Sequence, residues 1–334
     1  MSTSLSSLTT LRLGGPAGRL ITATGTDELV QALTATREDA VLLVGGGSNL
    51  VVGDDGWPGP VILVRTRGID VRAERESVLV TAAAGEPWDE FVATSVDEGW
   101  RGLAAMSGIP GLVGATPVQN VGAYGSEVAD TIETLRVFDR ATGAVERWPA
   151  ARCGFGFRTS ALKHTDRYVV LEVSFRLVLS DDSTPVRYAE LARRLGIEAG
   201  RSAPAKAVRQ TVLELRRAKG MLLDARDHDT WSVGSFFVNP FVAPDALPPG
   251  CPHWEVDGQL KLSAAWLIEN AGFHKGFGLP GRVAVSTKHS LALTNRGGAS
   301  TAELLDLGRV VRAGVERRYG VRLRPEARLA NCRL

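Results

Sequence analysis

The chain has 334 residues, 44% of them hydrophobic, enough to bury the cores of two or three compact domains, and its 39 Lys and Arg against 37 Asp and Glu leave too little net charge to wrap a nucleic acid. Three widely spaced cysteines, Cys153, Cys251 and Cys332, form neither a disulfide framework nor a metal cluster and read as reduced thiols. The Ser- and Thr-rich start lacks the charged head and apolar run of a secretory signal, and no run of about 18 apolar residues occurs, so a soluble cytoplasmic protein with no membrane partner is expected.

In chain order, Thr26 ahead of Asp27 and Glu28 reads as the cap of a helix carrying Leu29, Val30 and Leu33, and Ala40 to Val44 reads as a buried strand. That strand runs into Gly45, Gly46, Gly47, Ser48 and Asn49. A second apolar run, Val61 to Val64, follows the turn-rich stretch from Asp54 to Pro60, which places a first domain boundary near residue 66. Val78 to Ala82 is expected as a strand and Pro87 to Gly99 as a helix, with proline at its first turn and Trp88, Phe91, Val92 and Val96 on one face. Strands are expected at Leu135 to Phe138 and Tyr168 to Leu177, separated by the turn signal Asp139 to Gly143. Helical spacing of Val208, Val212 and Leu215 predicts a helix from Ala205 to Lys219, and another is expected from Ser263 to Ala271. A last helix begins at the capping box of Ser300 with Glu303 and runs to Tyr319, with Leu304, Leu307, Val311 and Val315 inward. The pattern is α+β throughout, without an internal repeat.

Several segments carry chemistry. Three glycines after a strand let backbone N–H groups approach a phosphate closely, so Gly45 to Asn49 is either a pyrophosphate cradle or a purely structural turn. Neither GxGxxG opening a helix nor GxxxxGK followed by Ser or Thr is present, so any dinucleotide fold is not of the Rossmann type. Ser107 to Gly114 leads into a run of small residues, amides and hydroxyls ending at Tyr124. It suits a neutral flavin ring or ribityl chain better than a metal, and it reads equally as a buried loop that satisfies its own backbone. Arg158 lies beside Phe155 and Phe157 and can form a two-pronged pair with a carboxylate, although a surface salt bridge is the commoner fate of an arginine. Ser235 follows Gly234 on a turn, with no GxSxG elbow to suggest a hydrolase nucleophile. Glu326 follows Arg324 and Pro325 close to the end of the chain. The five histidines show no HxxxH or HExxH spacing and no nearby cysteine pair, so no metal is expected.

Read together, five separated motifs closely resemble the UDP-N-acetylenolpyruvoylglucosamine reductase (MurB) family over nearly the whole chain and in the family's order. They are TLRLGGPA (10–17), VGGGSNLVV (44–52), SGIPGLVGATPVQNVGAYG (107–125), GSFFVNP (234–240) and LRPEARL (323–329). The resemblance implies an α+β protein with a two-part FAD-binding domain of the PCMH, or vanillyl-alcohol-oxidase-like, type, in residues 1–66 and 67–215. It also implies an α+β domain for the UDP-sugar in residues 216–320 and a tail, 321–334, that returns to the active site. FAD is then held noncovalently by Gly45, Gly46, Gly47, Ser48 and Asn49 at its pyrophosphate and by Ser107, Gly108, Gly114, Ala115, Gln119, Asn120, Gly122, Ala123 and Tyr124 elsewhere. The family's catalytic arginine, serine and glutamate fall on Arg158, Ser235 and Glu326. Its substrate contacts fall on Tyr188, Lys219, Asn239 and His289.

The implied reaction is NADPH-dependent reduction of UDP-N-acetylglucosamine enolpyruvate, ping-pong because NADPH must leave before the UDP-sugar enters, in a protein expected to be a monomer. Two positions depart from the family's pattern. Phe157 stands where a tyrosine is usual, and Val238 where a lysine is common, which throws more of the pyrophosphate onto Lys219. Two other readings compete, an oxidase sharing the FAD fold and a sensor that has kept only the pocket. The GSFFVNP and LRPEARL motifs disfavour the first, and the intact proton donor Ser235 disfavours the second.

Overall fold

The computed structural model describes residues 3–334. The chain divides into two compact units, each assembled from separated stretches: residues 19–46 with 59–217, and the stretch up to residue 18 with 47–58 and 218–334.

The first unit is organised by Tyr168–Leu179, a strand paired antiparallel with Ile132–Asp139 on one side and Ser77–Ala83 on the other. Ala144–Pro149 and Ile69–Ala73 complete the sheet at its two edges. Helix Trp88–Asp97 covers it, because Trp88, Phe91, Val92 and Val96 fall on one stripe. Trp88 and Phe91 meet Phe175 from the central strand, with ring centroids 6.2 and 5.0 Å away, and all three rings are buried. Truncating one such ring to alanine costs about 3–5 kcal/mol, so this cluster fixes the helix on the sheet. A smaller sheet places Trp57–Val64 between Ala17–Ala23 and Leu42–Val44, the latter pair parallel. Helix Thr26–Ala35 packs Leu29 and Leu33 onto Ile62 of that sheet. Helices Ala189–Leu195 and Ala205–Ala218 share a further core with Val96, through Leu191, Val208, Val212 and Leu215.

The second unit is built on helix Thr301–Tyr319, whose capping box forms as expected: Ser300 Oγ accepts from Glu303 N, and the Glu303 carboxylate accepts from Ser300 N. Leu304, Leu307, Val311 and Val315 join one core with Phe236, Phe237 and Phe273. Gly314 interrupts the helical pattern because a Cβ there would lie 2.3 Å from the Phe273 ring.

Two expectations are corrected. The cap of the first helix is Gly25, not Thr26, since the residue before the first turn must be extended; Glu28 closes that end by accepting from Thr24 N and Gly25 N. The turn Asp139–Gly143 does not lead directly towards Tyr168 but into the additional strand Ala144–Pro149, which buries Trp148 alone and so alternates too weakly to be read. The compact units also follow a different division from the functional boundary expected near residue 66. Leu50–Val52 pairs in parallel with Arg328–Ala330, Asp54 caps the last helix by accepting from Thr301 N and Ala302 N at 2.8 and 2.9 Å, and Thr10 Oγ1 donates to Ser232 O at 2.7 Å. These ties group residues 47–58 and the first stretch with the C-terminal third.

Candidate active site

In the first unit, strand Leu42–Val44 delivers Gly45 and Gly46 against the second glycine loop. A Cβ on Gly46 would lie 2.8 Å from Gly111 Cα, and one on Gly45 3.3 Å from Leu112 Cδ1, so the closeness of two backbones requires glycine at 46. The second loop is pinned beneath: Trp88 N donates to Gly111 O, Val113 N to Glu86 O and Gly114 N to Ala84 O, at 3.1, 2.8 and 2.9 Å. Gly114 packs so tightly on Ala84 that a Cβ would lie 2.4 Å from its Cβ, while Ala115 beside it is exposed. Those close approaches are between parts of the protein itself; the two loops, 45–49 and 107–124, carry amides and hydroxyls and no charged side chain, which fits FAD.

Three residues beneath this loop were not singled out by the sequence. Asp89 accepts from Gly108 N at 2.6 Å and from both Nη atoms of Arg209 at 2.6 and 3.1 Å. Burial opposes ionisation of Asp89, but the hydrogen bonds from Arg209 and Gly108 outweigh it and hold the carboxyl below its ordinary value. Two helical turns beyond Arg209, Arg216 is pulled below the ordinary arginine value by burial, with Tyr124 and Asp89 acting in the opposite direction. In the sequence Asp89 is one acid in a helix's first turn and the arginines belong to an arginine-rich helix, so only the fold marks them.

Arg158 occupies a loop of unusual backbone. Asn120, Tyr124 and Arg158 all have positive φ, 45°, 51° and 53°, a conformation that costs about 1–2 kcal/mol for a residue with a Cβ. Side chains stabilise it. Asn120, almost wholly buried, donates to Glu127 Oε2 at 2.7 Å and Gly156 O at 3.1 Å and accepts from Ala129 N at 3.1 Å. Arg158 Nη2 donates to Gly122 O at 2.7 Å, and Lys163 Nζ donates to Arg158 O at 2.6 Å. Ser160 Oγ donates to Val118 O at 2.7 Å, and the Arg158 guanidinium lies 5.3 Å from the centre of the Phe157 ring. Asn120, expected as a cofactor contact, thus spends its side chain on the loop, as does Ser107, whose buried hydroxyl donates to Ala104 O. Gln119, Gly122 and Ala123 are half-buried along the same stretch. Tyr188 stands edge-on to Tyr124, ring centroids 5.4 Å apart.

In the second unit, backbone pairing brings Ser235 and Glu326 together. Glu326 N donates to Phe236 O at 2.9 Å, Val238 N donates to Arg324 O at 3.1 Å, and Phe237 stands opposite Pro325. Phe236 and Phe237 are buried beneath, so the extended segments carrying the hydroxyl and the carboxylate rest on core; Gly234 supplies the turn into them at φ 73°. Asn49 O accepts from Arg328 N at 3.0 Å, two residues beyond Glu326, and Gly47 O accepts from Thr10 N at 3.2 Å, which places the Gly47–Asn49 half of the first glycine turn, with Ser48, in this unit. Asn239 Oδ1 accepts from Ala264 N at 3.0 Å and so helps cap helix Ala264–Asn270. Gly220, next to Lys219, lies close to Asp229, whose buried carboxylate accepts from Ser286 Oγ, and Ser286 Oγ accepts from His289 N. Burial opposes ionisation of Asp229, but hydrogen bonds from Thr287 and Ser286 and the Arg296 charge keep it below the ordinary value. Among the described residues no group of three or more His, Cys, Asp and Glu is placed to hold a metal ion, and no helix is long and apolar enough to cross a membrane.

Residues 226–330 match the family described as UDP-N-acetylenolpyruvoylglucosamine reductase, C-terminal domain, and residues 17–148 match an FAD binding domain. The chain is 52% identical to UDP-N-acetylenolpyruvoylglucosamine reductase of Salinispora arenicola, covering 99% of this chain and 95% of that protein. It is 49% identical to the protein of the same name from Cutibacterium acnes, covering 98% and 89%. The structure resembles UDP-N-acetylenolpyruvylglucosamine reductase (MurB) of Thermus caldophilus with a TM-score of 0.70 at 26% identity, covering 99% of this chain and 98% of that one.

Proposed function

Because the chain belongs to the UDP-N-acetylenolpyruvoylglucosamine reductase (MurB) family, we propose that Arg158, Ser235 and Glu326 carry out its chemistry and that the two glycine loops hold its cofactor. The protein is a flavoprotein oxidoreductase that reduces UDP-N-acetylglucosamine enolpyruvate to UDP-N-acetylmuramate in peptidoglycan precursor synthesis, with FAD as cofactor and NADPH as reductant. Bound FAD supplies the hydride transfer that links NADPH to the alkene.

The protein's own groups have three tasks. An enolpyruvyl alkene accepts hydride only if the electrons it gains can spread into the neighbouring carboxylate, so that carboxylate needs fixed positive charge. Arg158 supplies it, its guanidinium oriented by Gly122 O and backed by the Phe157 ring; the aromatic face does this without the hydroxyl of the family's tyrosine. Glu326 orients and polarises the same group. Ser235 donates the proton to the carbon next to the one that receives hydride, leaving a lactyl ether. The observation that carries this assignment is the hydrogen bond from Glu326 N to Phe236 O, which sets the proton donor and the polarising carboxylate on adjoining segments.

On the same reading Gly45, Gly46, Gly47, Ser48 and Asn49 take the FAD pyrophosphate, residues 107–124 line its remainder, and Lys219, Asn239, Tyr188 and His289 take the UDP-sugar. The proposal assigns FAD to residues 1–66 and 67–215, the UDP-sugar to 216–320, and the active-site tail to 321–334. A monomer working in the cytoplasm, where NADPH is supplied, belongs to the same proposal.

The test is anaerobic. NADPH should bleach the yellow protein, and UDP-N-acetylglucosamine enolpyruvate should restore the oxidised flavin bands. Ser235→Ala should bleach at the normal rate and recover more slowly by on the order of 10²-fold or more. Equal slowing of both halves would remove Ser235 as the proton donor.

A further inference from the structure

The turn that carries His289 also carries a lysine, Lys288, that has no task in the proposed function. We propose that Lys288 binds the substrate pyrophosphate beside Lys219 and fills the role left open by valine at position 238, an inference that rests on the substrate assignment just given.

The placement is set by Gly220, which follows Lys219 directly and has φ 64°. A Cβ on Gly220 would lie 3.4 Å from Lys288 Cδ and 3.3 Å from both Asp229 Cβ and Asp229 O. The stem of Lys288 therefore runs over the backbone next to Lys219. The Asp229 carboxylate holds the second segment: its Oδ1 accepts from Ser286 Oγ at 2.8 Å, Thr287 N at 2.8 Å and Arg296 Nη1 at 2.9 Å, and its Oδ2 accepts from Thr287 Oγ1 at 2.6 Å. Ser286 Oγ in turn accepts from Lys288 N at 3.0 Å and His289 N at 3.2 Å. Asp229 thus lies against Gly220 with its Cβ and carbonyl oxygen while its carboxylate holds the turn that carries Lys288 and His289.

A pyrophosphate diester presents two negative charges a few ångströms apart, and two ammonium groups arriving from different segments match it better than one. The Lys288 ammonium is held by Asp227 Oδ2, with the two side chains 37% and 30% exposed. An ion pair this open to water contributes little to stability and is screened by salt, so it keeps the ammonium in place and gives it up to a doubly charged ligand. If Lys288 were only a surface partner for Asp227, its loss would leave UDP-sugar affinity untouched.

The test uses the FAD-loaded, full-length protein with Lys288→Met, which keeps the stem over Gly220, alongside Lys288→Arg and Lys219→Ala. Lys288→Met should raise the apparent KM for UDP-N-acetylglucosamine enolpyruvate by on the order of 10-fold with kcat within about threefold, weaken calorimetric binding of UDP by a similar factor, and leave bleaching by NADPH unchanged. Lys288→Arg, which keeps the charge, should recover most of the affinity. Unchanged KM and UDP binding in Lys288→Met, while Lys219→Ala weakens both, would overturn the role of Lys288 alone. If neither variant changes either quantity, the substrate assignment itself falls and takes this inference with it.

Discussion

Arg158 sits on an irregular loop where Asn120, Tyr124 and Arg158 all enter the left-handed region, and what holds it is a set of side-chain hydrogen bonds running from Asn120 to Gly156 and from Arg158 to Gly122. Ser235 and Glu326 sit on extended segments joined backbone to backbone, above the buried rings of Phe236 and Phe237 and the core of helix Thr301–Tyr319. Arg158, the proposed fixed charge, is thus positioned by polar contacts that each contribute about 0.5–1.5 kcal/mol. Ser235 and Glu326, the proposed proton donor and second polarising group, are positioned by burial, where a single Phe-to-Ala change costs about 3–5 kcal/mol. The difference separates perturbations that displace a catalytic group without unfolding the protein from those that weaken the fold before they reach the chemistry.

The strongest way to sharpen this contrast is Arg158→Lys. The ammonium keeps the charge but loses the planar fork that grips Gly122 O while facing a carboxylate. Reoxidation of the reduced flavin by substrate should slow by on the order of 10²-fold, the range lost when one donor to a developing oxyanion is removed, while bleaching by NADPH and the melting temperature stay near the wild-type values. Stopped-flow absorbance on each half-reaction separates the two. A lysine variant that reoxidises normally would show that charge alone suffices and that the loop geometry is incidental.

Asn120→Ala comes next. It removes three hydrogen bonds at a buried site and leaves an ordinary side chain at φ 45°, so a loss of about 1–3 kcal/mol is expected. Because the bond to Gly156 O holds the Arg158 loop, turnover should fall by on the order of 10-fold, more than the modest drop in denaturation midpoint alone would produce. If activity and stability fall strictly together, the loop is no more separable from its unit than the paired segments are from theirs.

How much of this was legible in the sequence follows the same divide. Local patterns carried the Ser300–Glu303 capping box, the helix ending at Tyr319 and the glycine turn after Val44, each of which forms, and the helix expected from Pro87, which starts at Trp88 with Pro87 as its cap. What stayed hidden depends on contacts between residues far apart in the chain: Asp54 as the cap of a helix that begins at residue 301, Asp89 holding Gly108 and Arg209, and Asp229 joining the turns at 220 and 286. An acid in such a role has the same local sequence as a solvated one. Left-handed backbone at Asn120 and Arg158 was equally unreadable, because the conformation is imposed by partners and not by the residue itself. Motif resemblance supplied Arg158, Ser235 and Glu326, and the fold adds how each is held.

The smallest expected effect lies at the far end of the core-backed framework. Glu303 sits in the first turn of helix Thr301–Tyr319, accepts from Ser300 N at 2.8 Å, and pairs two-pronged with Arg282 at 2.9 and 2.8 Å. The Arg282 hydrogen bonds, then that from Ser300 N, lower its pKa from 4.5 to about 2. A carboxylate more acidic in the folded than in the unfolded chain stabilises the fold above its unfolded pKa and loses that contribution as the pH falls through the folded one. Glu303→Gln should therefore lower the melting temperature at pH 7 by a small amount, and the gap to the wild type should close as the pH is taken from about 4.5 towards 2. Turnover at pH 7 should stay unchanged, since Phe236 packs beside Gly308, beyond the first turn, and Glu303 itself is outside that core. Thermal melts across this pH range, paired with activity at pH 7, give the check. A loss of turnover larger than the loss of stability would mean that the framework beneath Ser235 and Glu326 is as easily displaced as the loop beneath Arg158.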